Sequence, residues 1–580
     1  MPDVPAAPRS RWVTAQAEPD AVDGLLSHLE IEPAVASILT RRGIVDPDEA
    51  ERFLHPSLDH LHDPMRMSGM GAAVDRLRRA LADRETILIH GDFDVDGLAS
   101  TALLARSLIC LGASVKTHIP HRLEEGYGLH EDVAKVAAQD GATLVLSCDC
   151  GIRSHGVAQL LRERGIDLII TDHHEPDTEL PDAVAVIDPK IPSCPYPFDQ
   201  LAGVGVAFKL GQALSEALGI AASKFQRAYL DLAALGTIAD VVPLLGENRV
   251  LAHFGLLQLR ATRKVGLRAL LRRLNLEEKP LDTYHVGFMI APRLNAAGRL
   301  SDARDALELL MTDSRQLADS VARRLDHVNA DRQSVEAHML AEAYQRLADD
   351  EGILQEDPVI VLSGYEWHRG VAGLVAGAIR ERYGRPTFVL CVEGAQAVGS
   401  ARSVEEFDVS KAIDAVSDCL IRGGGHAMAA GVTLDRDQIG EFRRRINDYA
   451  LQSIRPESLM PTYRYDDELA ATRISHRLCG ELQLLAPFGQ GNPRPRFVTR
   501  GLNVEWVSLV GRDGWHVKMG LSAGDRSLIG IAWRKGERAH EIQPGMPLDI
   551  LYTLKTEERR GVVELVPTIE DFRPATTEEW

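Results

Sequence analysis

Over 580 residues the sequence has no run of about eighteen apolar residues, which excludes a helix able to span a membrane. Met1–Pro8 is rich in Pro and Ala and holds no apolar signal core. Cysteine is scarce: seven, at Cys110, Cys148, Cys150, Cys194, Cys391, Cys419 and Cys479. An odd, dispersed set makes no disulfide framework and fits a reducing cytoplasm. Cys148-x-Cys150 flanks Asp149, but one intervening residue is too short for a zinc knuckle and no second pair follows; both read as small buried residues. Positive charge is in deficit, with 65 Lys and Arg against 84 Asp and Glu, a net charge of −19. That disfavours non-specific nucleic-acid binding by the surface as a whole, while leaving room for basic residues focused in a groove. Arg260, Arg263, Lys264, Arg268, Arg272 and Arg273 form one such cluster and Arg494, Arg496 and Arg500 another, although each also reads as a solvated face. There is no internal repeat and no long disordered tract.

Apolar residues make up 45% of the chain and charged residues 26%, the balance of a globular protein. The length calls for roughly three to four domains. Residues 1–74 read as an amphipathic helical cap. Across 75–245 short apolar runs alternate with helices (Leu98–Leu111, Glu131–Gln139, Ser154–Arg164), the pattern of an α/β doubly wound, mostly parallel sheet. Residues 246–355 read as a helical connector in which Ala303–Asp349 is one long helix or a helix pair. A second α/β unit covers 356–460, with strands Pro358–Leu362, Thr387–Val392, Ala397–Ser400 and Ala429–Leu434 and a helix, Gly370–Arg382, rich in small residues. The remainder, 461–580, reads as a linker and a C-terminal β-barrel of five or six strands, with Phe497–Val498 and Val504–Leu509 as its first two and an OB-fold as the best fit.

The chemistry concentrates in 75–245. His90-Gly91-Asp92-Phe93-Asp94-Val95-Asp96-Gly97 follows the apolar run Thr86–Ile89. Asp149-Cys150-Gly151 follows Thr143–Leu146, Asp172-His173-His174 follows Asp167–Ile170, and Asp240 follows Leu232–Ile238. If each run is a buried strand, the four clusters meet outside the carboxyl ends of the strands, where open α/β sheets bind ligands. At least five carboxylates and two imidazoles then share one crevice, which requires compensating positive charge. Divalent cations supply it, and this donor set suits Mn²⁺ or Mg²⁺; a pair of such ions is the machinery of phosphate-ester hydrolysis. Asp92, Asp94 and Asp96 alternate, so at a strand end bending into a Gly97-led helix two or three reach one metal pair. A polar turn is the bland alternative, and an EF-hand is excluded because its Gly and bidentate Glu are missing. Of the adjacent histidines one can hold metal while the next orients a substrate phosphate. Asp149 is placed to bridge two ions.

In this order, Asp-x-Asp-x-Asp-Gly, Asp-Cys-Gly, Asp-His-His and Gly-Thr-Ile-Ala-Asp-Val-Val-Pro-Leu resemble the four motifs of the DHH phosphoesterase superfamily. Gly423-Gly424-Gly425-His426 resembles the signature of its accessory DHHA1 domain. The resemblance spans about 75 to 575, and the added barrel narrows it to the branch that degrades single-stranded DNA. It implies two divalent ions, Mn²⁺ or Mg²⁺, held by Asp92, Asp94, Asp96, Asp149, His173 and Asp240, with Asp149 bridging and His174 near the substrate phosphate. His90 stands where some members of the superfamily place a metal-binding histidine and is an additional candidate only, while Asp188 stands where many relatives carry Asn and is left outside this set. A 5′-terminal phosphate calls for Arg side chains or backbone N–H donors. The resemblance places Arg122, Ser400 and Arg402 there; Gly424, Gly425 and His426 read as a nest of N–H groups with an imidazole, and Arg299 and Arg369 are further candidates. Trp515, His516 and Lys518 are candidate barrel contacts to the strand, Trp515 being alternatively a core aromatic. The implied activity is a metal-dependent 5′→3′ exonuclease on single-stranded DNA. It would be monomeric and cytoplasmic, working beside a single-strand-binding protein and a helicase in repair and recombination. The rivals are a nanoRNase or small nucleotide phosphoesterase of the same superfamily, against which the cap and barrel argue, and an inactive replication scaffold, against which the intact ligand set argues.

Overall fold

The computed structural model describes residues 10–575 except 17, 123–124, 351, 456–458, 512–513 and 560–561; Met1–Pro8, read for a signal core, lies outside the described residues. The first α/β unit runs α1 (Met70–Asp83), β1 (Thr86–Gly91), α2 (Val95–Cys110), β2 (Ser114–His118), α3 (Asp132–Asp140), β3 (Ala142–Cys148), α4 (His155–Glu163), β4 (Asp167–Thr171), β5 (Ala185–Ile187), α5 (Gly203–Ala217) and α6 (Ala222–Ala239). Its five strands are all parallel in the order β2-β1-β3-β4-β5. Alternation along each strand covers both faces. Ile87, Ile89, Leu144, Leu146 and Ile169 enter a core with α1, α2, α5 and α6, while Leu88, Val145, Leu168 and Ile170 pack under α3 and α4. The strand order reverses around β1, so the crevice between the carboxyl ends of β1 and β3 is the topological switch point where such sheets take ligands.

One expected strand is a helix. Leu232–Ile238 lies in α6, wedged against α2, α5 and α7 (Gly246–Arg260). A helix buried on every side carries an unbroken apolar run, which cannot be told from a buried strand by periodicity. Two strands gave little signal: β2 is a half-exposed edge (Ser-Val-Lys-Thr-His) and β5 is three residues long.

The connector continues with α8 (Val265–Arg273), a π-helical turn His285–Ile290 running on into α9 (Ala291–Leu300), then α10 (Arg304–Met311) and α11 (Arg315–Asp349). Ala303–Asp349 is thus a helix pair, with Ser314 capping α11 by accepting from Leu317 N–H at 3.3 Å. The second unit holds β6 (Ile360–Tyr365), α12 (Arg369–Tyr383), β7 (Thr387–Glu393), β8 (Gln396–Arg402), β9 (Arg422–His426) and β10 (Ala429–Asp435), in the order β9-β10-β8-β7-β6 with only β6–β7 parallel.

The barrel is built from β11 (Arg496–Val510), β12 (His516–Ala523), β13 (Arg526–Ala532), β14 (Pro547–Arg559) and β15 (Val562–Pro574), ordered β11-β12-β13-β15-β14 and closed by β11–β14. Phe497–Val498 and Val504–Leu509, expected as two strands, are one strand whose register shifts between Thr499 and Leu502. The N-terminal helices are part of this end of the molecule. Leu25, Ile38, Leu39 and Phe53 share a core with Leu478, Phe497 and Leu548, and Arg11–Val13 pairs in parallel with Thr462–Arg464. No described helix is long and apolar enough to cross a membrane.

Candidate active site

The first acidic cluster turns from β1 into α2. The helix starts at Val95, ahead of the expected Gly97, because Asp94 caps it: Asp94 Oδ1 accepts from the N–H groups of Asp96 (2.9 Å) and Gly97 (3.1 Å). Asp96 therefore lies in the first turn. Its two carboxylate oxygens accept from Gly203 N–H (2.7 Å) and Val204 N–H (2.8 Å), the positive end of α5. Asp149 follows β3 with a left-handed backbone, φ 62°, and Val241, next to Asp240, has the same φ of 62°. For residues other than Gly such backbones cost of order 1–3 kcal/mol each and cluster at functional sites.

The four clusters converge. Donor atoms of Asp92, Asp94 and Asp149 lie within 4.8 Å of one another, as do those of Asp96, His173 and Asp240, and those of Asp149, His173 and His174. Asp149 and His173 each belong to two of these sets. His173 Nε2 is 3.1 Å from Asp149 Oδ1, 3.7 Å from Asp240 Oδ2 and 3.9 Å from Asp96 Oδ2. Yet His173 Nε2, Asp149 Oδ1 and Asp92 Oδ1 are buried without a hydrogen-bond partner. Buried polar atoms are normally paired, so converging lone pairs left bare fit a cation between them, and mixed carboxylate and imidazole donors fit Mn²⁺ or Mg²⁺. Close approach depends on glycine: a Cβ on Gly203 would come within 2.6 Å of Asp149 Oδ1, and one on Gly236 within 2.7 Å of Asp96 Oδ1. Burial first, then neighbouring carboxylates, pushes Asp92, Asp96 and Asp149 well above the usual carboxylate range. Burial alone would depress His173, but Asp240, Asp96 and Asp172 outweigh it and hold its pKa up.

Asp172 orients the two histidines. It is fully buried and accepts from the N–H groups of Ile152 (2.9 Å), His173 (2.8 Å) and His174 (3.2 Å), with His174 Nδ1 at 2.7 Å. Burial would raise its pKa, but the hydrogen bond and charge of His174 bring it below the usual value. Tyr127, not singled out from the sequence, places its hydroxyl 3.0 Å from His174 Nδ1 and 3.2 Å from Asp149 O. His90 turns away, with Nε2 3.2 Å from Gly128 O and Nδ1 3.1 Å from His118 Nδ1; burial and His118 push it down to about 3. Asp188 is buried with Oδ2 unpartnered, raised by burial to about 7, and belongs to none of the donor sets. Cys148 and Cys150 are buried and their thiols pushed up by burial.

Three guanidiniums gather beside the acidic cluster from separate elements: Arg122 after β2, Arg299 on α9 and Arg402 on β8. Arg122 lies 4.7 Å over the Phe93 ring and feels Asp92 and Asp94. Arg299 donates to Gly370 O at 3.1 Å, and burial with the charges of Arg122, Arg332 and Arg402 lowers it to about 10. Arg402 is lowered by burial, Arg122 and Arg380. None of the three makes an ion pair among the described residues, so together they form a positive cluster suited to an anion. Ser400 lies two residues before Arg402 on β8, hence on the same face. Arg369 is exposed at the start of α12, next to Gly370, whose carbonyl accepts from Arg299. Gly424, Gly425 and His426 are no nest. They lie in the exposed edge strand β9, whose extended backbone, Gly425 at φ 156° included, lacks the alternating left- and right-handed turns a nest requires.

The other basic clusters are partly neutralised. Lys264, Arg272 and Arg273 pair with Asp231, Asp319 and Asp326, and Arg496 and Arg500 with Glu570 and Glu468. Trp515 is 44% exposed and so is not a core aromatic, while His516 meets Trp533 edge to face with ring centroids 4.6 Å apart.

Three family models match in chain order: the DHH family N-terminal domain over residues 86–237, the DHHA1 domain over 356–452 and the RecJ OB domain over 465–571. The chain is 37% identical over 576 residues to the single-stranded-DNA-specific exonuclease RecJ of Bacillus subtilis (strain 168), covering 99% of this chain and 72% of that protein. It belongs to the RecJ family. A second RecJ, from Escherichia coli (strain K12), is 33% identical over 564 residues, covering 94% of this chain and 96% of its own. The crystal structure of RecJ in complex with Mn²⁺ from Thermus thermophilus superposes with a TM-score of 0.83 at 32% identity, over 98% of this chain and 80% of that one. The RecJ OB match locates the family's barrel on β11–β15, and the DHH match ends at Thr237, just short of Asp240.

Proposed function

We propose that this chain is a metal-dependent exonuclease that hydrolyses single-stranded DNA from a 5′ end with two divalent ions, Mn²⁺ or Mg²⁺. The observation that carries the reading is the set of buried, unpartnered donor atoms on Asp92, Asp149 and His173 beside the cluster of three arginines. Its relatives' activity and the Mn²⁺ complex of the Thermus thermophilus enzyme support it. Asp92, Asp94 and Asp149 would hold one ion and Asp96, His173 and Asp240 the other, with Asp149 shared. When bound, the ions supply Lewis acidity to the attacked phosphate and ionise water near neutral pH.

The chain's own groups do the rest. Arg122, Arg299 and Arg402, with Ser400, would grip the terminal phosphate by charge-assisted hydrogen bonds. That seats the next phosphodiester over the carboxylates. His174, oriented by Asp172 and Tyr127, is placed to hold or pass a proton at the scissile phosphate. The α5 N–H groups fix Asp96 so that it cannot swing out. Gly424, Gly425 and His426 would border the pocket as an edge strand. The expected setting is the cytoplasm, beside a single-strand-binding protein that holds the strand and a helicase that produces it.

The test is a single strand labelled at one end or the other, incubated with the purified chain in Mn²⁺, with EDTA as control. The 5′ label should leave first as mononucleotide, a duplex should resist, and EDTA should stop the reaction. Release of the 3′ label first would reverse the polarity; cutting confined to dinucleotides would favour the small phosphoesterase.

A further inference from the structure

Three consecutive polar residues in the first turn of α7, Glu247, Asn248 and Arg249, are buried. Such side chains are seldom buried unless their polar atoms are paired. Glu247 fastens the turn to α5, its carboxylate accepting from Lys209 Nζ (2.6 Å), Tyr196 OH (2.6 Å) and His62 N–H (2.8 Å). Arg249 points to the chain ends and donates to the carbonyls of Phe53 (2.8 Å), Leu484 (2.9 Å) and Leu485 (2.8 Å). Asn248, between them, does something else. Its Nδ2 donates to Pro243 O at 3.1 Å and to Gln200 O, while its Oδ1 is buried without a partner. An unpaired amide oxygen is a cost that an apolar side chain filling the same space would avoid. The two donated hydrogen bonds are what Asn supplies here.

The two acceptors lie on the segments that set one group of metal donors. Pro243 follows Asp240 by three residues. Gln200 precedes by three residues Gly203, whose N–H, with that of Val204, holds Asp96. Asp96, His173 and Asp240 form one donor set. Between Asp240 and Pro243 the chain turns through Val241 at φ 62°. That backbone is unfavourable for a β-branched residue and persists only where neighbours hold it. The holds are Pro243 O on Asn248 and Leu244 N–H on Gln490 O at 2.8 Å. On the other side Phe198 lies so near the start of α7 that a Cβ on Gly246 would come within 2.6 Å of its Cε2. The segment leading into α5 and the segment after Asp240 therefore run side by side, with the Asn248 amide across them.

We propose that Asn248 is a positioning residue of the metal site: its amide straps the turn after Asp240 to the segment leading into α5, and so sets the separation of Asp96 and Asp240. The proposal rests on the two-ion reading above and concerns the ion assigned to Asp96, His173 and Asp240. The hydrogen bonds of Asn248 go to backbone carbonyls and to neither carboxylate, so it acts through the chain and not on the ion or the substrate. Groups that orient metal ligands in this way tune affinity without touching the metal.

The experiment titrates Mn²⁺ into the full chain by calorimetry, without DNA, for the wild type, Asn248→Leu, Asn248→Ser and Arg249→Met. Leu fills the space of Asn without donors, and Ser keeps one shorter donor. Arg249→Met loses three hydrogen bonds on the same turn, but on the side of the chain ends. Asn248→Leu should weaken one of the two Mn²⁺ sites about tenfold, the lower end for groups that support metal ligands, and leave the other unchanged. Asn248→Ser should fall between it and the wild type. Arg249→Met should lower the thermal midpoint and leave both affinities unchanged. On 5′-phosphorylated strands at saturating Mn²⁺ the Asn248 variants should lose kcat several-fold at constant KM, because the arginine cluster is untouched. Wild-type affinity at both sites in Asn248→Leu, or in Asn248→Ser should the Leu variant not fold, would overturn the positioning role. Equal weakening in Arg249→Met would overturn it too, by showing that any loosening of α7 reaches the site. A wild type that binds fewer than two Mn²⁺ ions would instead remove the reading beneath it.

Discussion

Asp149 concentrates the argument at the scale of single residues. It belongs to two donor sets, its backbone is left-handed, and one of its oxygens is buried without a partner. Asp149→Ala should abolish cleavage in Mn²⁺ and leave the thermal midpoint of the metal-free protein unchanged or higher, since one buried anion leaves a crowded cluster. Turnover within tenfold of wild type would rule out a shared ligand. Arg402→Ala should act differently. Loss of a charge-assisted contact to phosphate is worth about 1.5–3 kcal/mol, or roughly ten- to a hundredfold in affinity. That loss should appear as a weaker preference for 5′-phosphoryl over 5′-hydroxyl ends, with cleavage chemistry retained; an undiminished preference would move the phosphate pocket elsewhere.

Elements decide whether these residues can meet. Helix α12 is rich in small residues because Arg402 lies across it: a Cβ on Gly373 would be 2.8 Å from Arg402 Nη2 and 3.3 Å from its Cζ. The nearest atoms are the mobile end of a side chain, and Ala is the better helix former by about 1 kcal/mol. Gly373→Ala should therefore fold normally, with an unchanged or raised thermal midpoint, yet push the guanidinium aside. A several-fold loss of 5′-phosphate preference, at constant kcat on saturating substrate, is the expected outcome of end-group competition assays. Unaltered selectivity would mean that Arg402 relaxes without leaving its pocket.

At the scale of the whole molecule the two chain ends form one body, and the catalytic sheet with the second α/β unit forms the rest. Cutting only before the barrel would strand the N-terminal helices, whose core partners are Leu478, Phe497 and Leu548. A cleaner dissection is the fragment 67–454. It should keep metal-dependent cutting of pentamers, lose more on long strands, and show a flatter dependence of binding on salt, because backbone contacts of the barrel are electrostatic. Equal losses on both lengths, in a folded fragment, would assign the barrel a purely structural role. Metal linkage can be read on the intact chain. Asp92, Asp96 and Asp149 have raised pKa values when folded without ions. Their stabilising contribution is full below the usual carboxylate range and is lost as pH rises through the raised values. Mn²⁺ replaces those protons, so its increment in thermal midpoint should be larger at pH 8 than at pH 5. An increment independent of pH would argue that these carboxylates do not hold it.

Residue type and position after apolar runs suggested an acidic crevice holding divalent ions and ordered the α/β units and the barrel, while the set Asp92, Asp94, Asp96, Asp149, His173 and Asp240 came from the resemblance to the DHH superfamily. Those features are local: an apolar alternation, a turn of glycines and a carboxylate after a strand are written in consecutive residues. Only the tertiary structure decided that Leu232–Ile238 is a helix, since a segment buried on all sides looks alike in either form. It also decided that Gly424–His426 is an edge strand and that Tyr127 faces His174 and Asp149. Each of these depends on which distant elements pack alongside. Side-chain direction and exposure are set by neighbours brought together from remote parts of the chain, and no short stretch of sequence carries them.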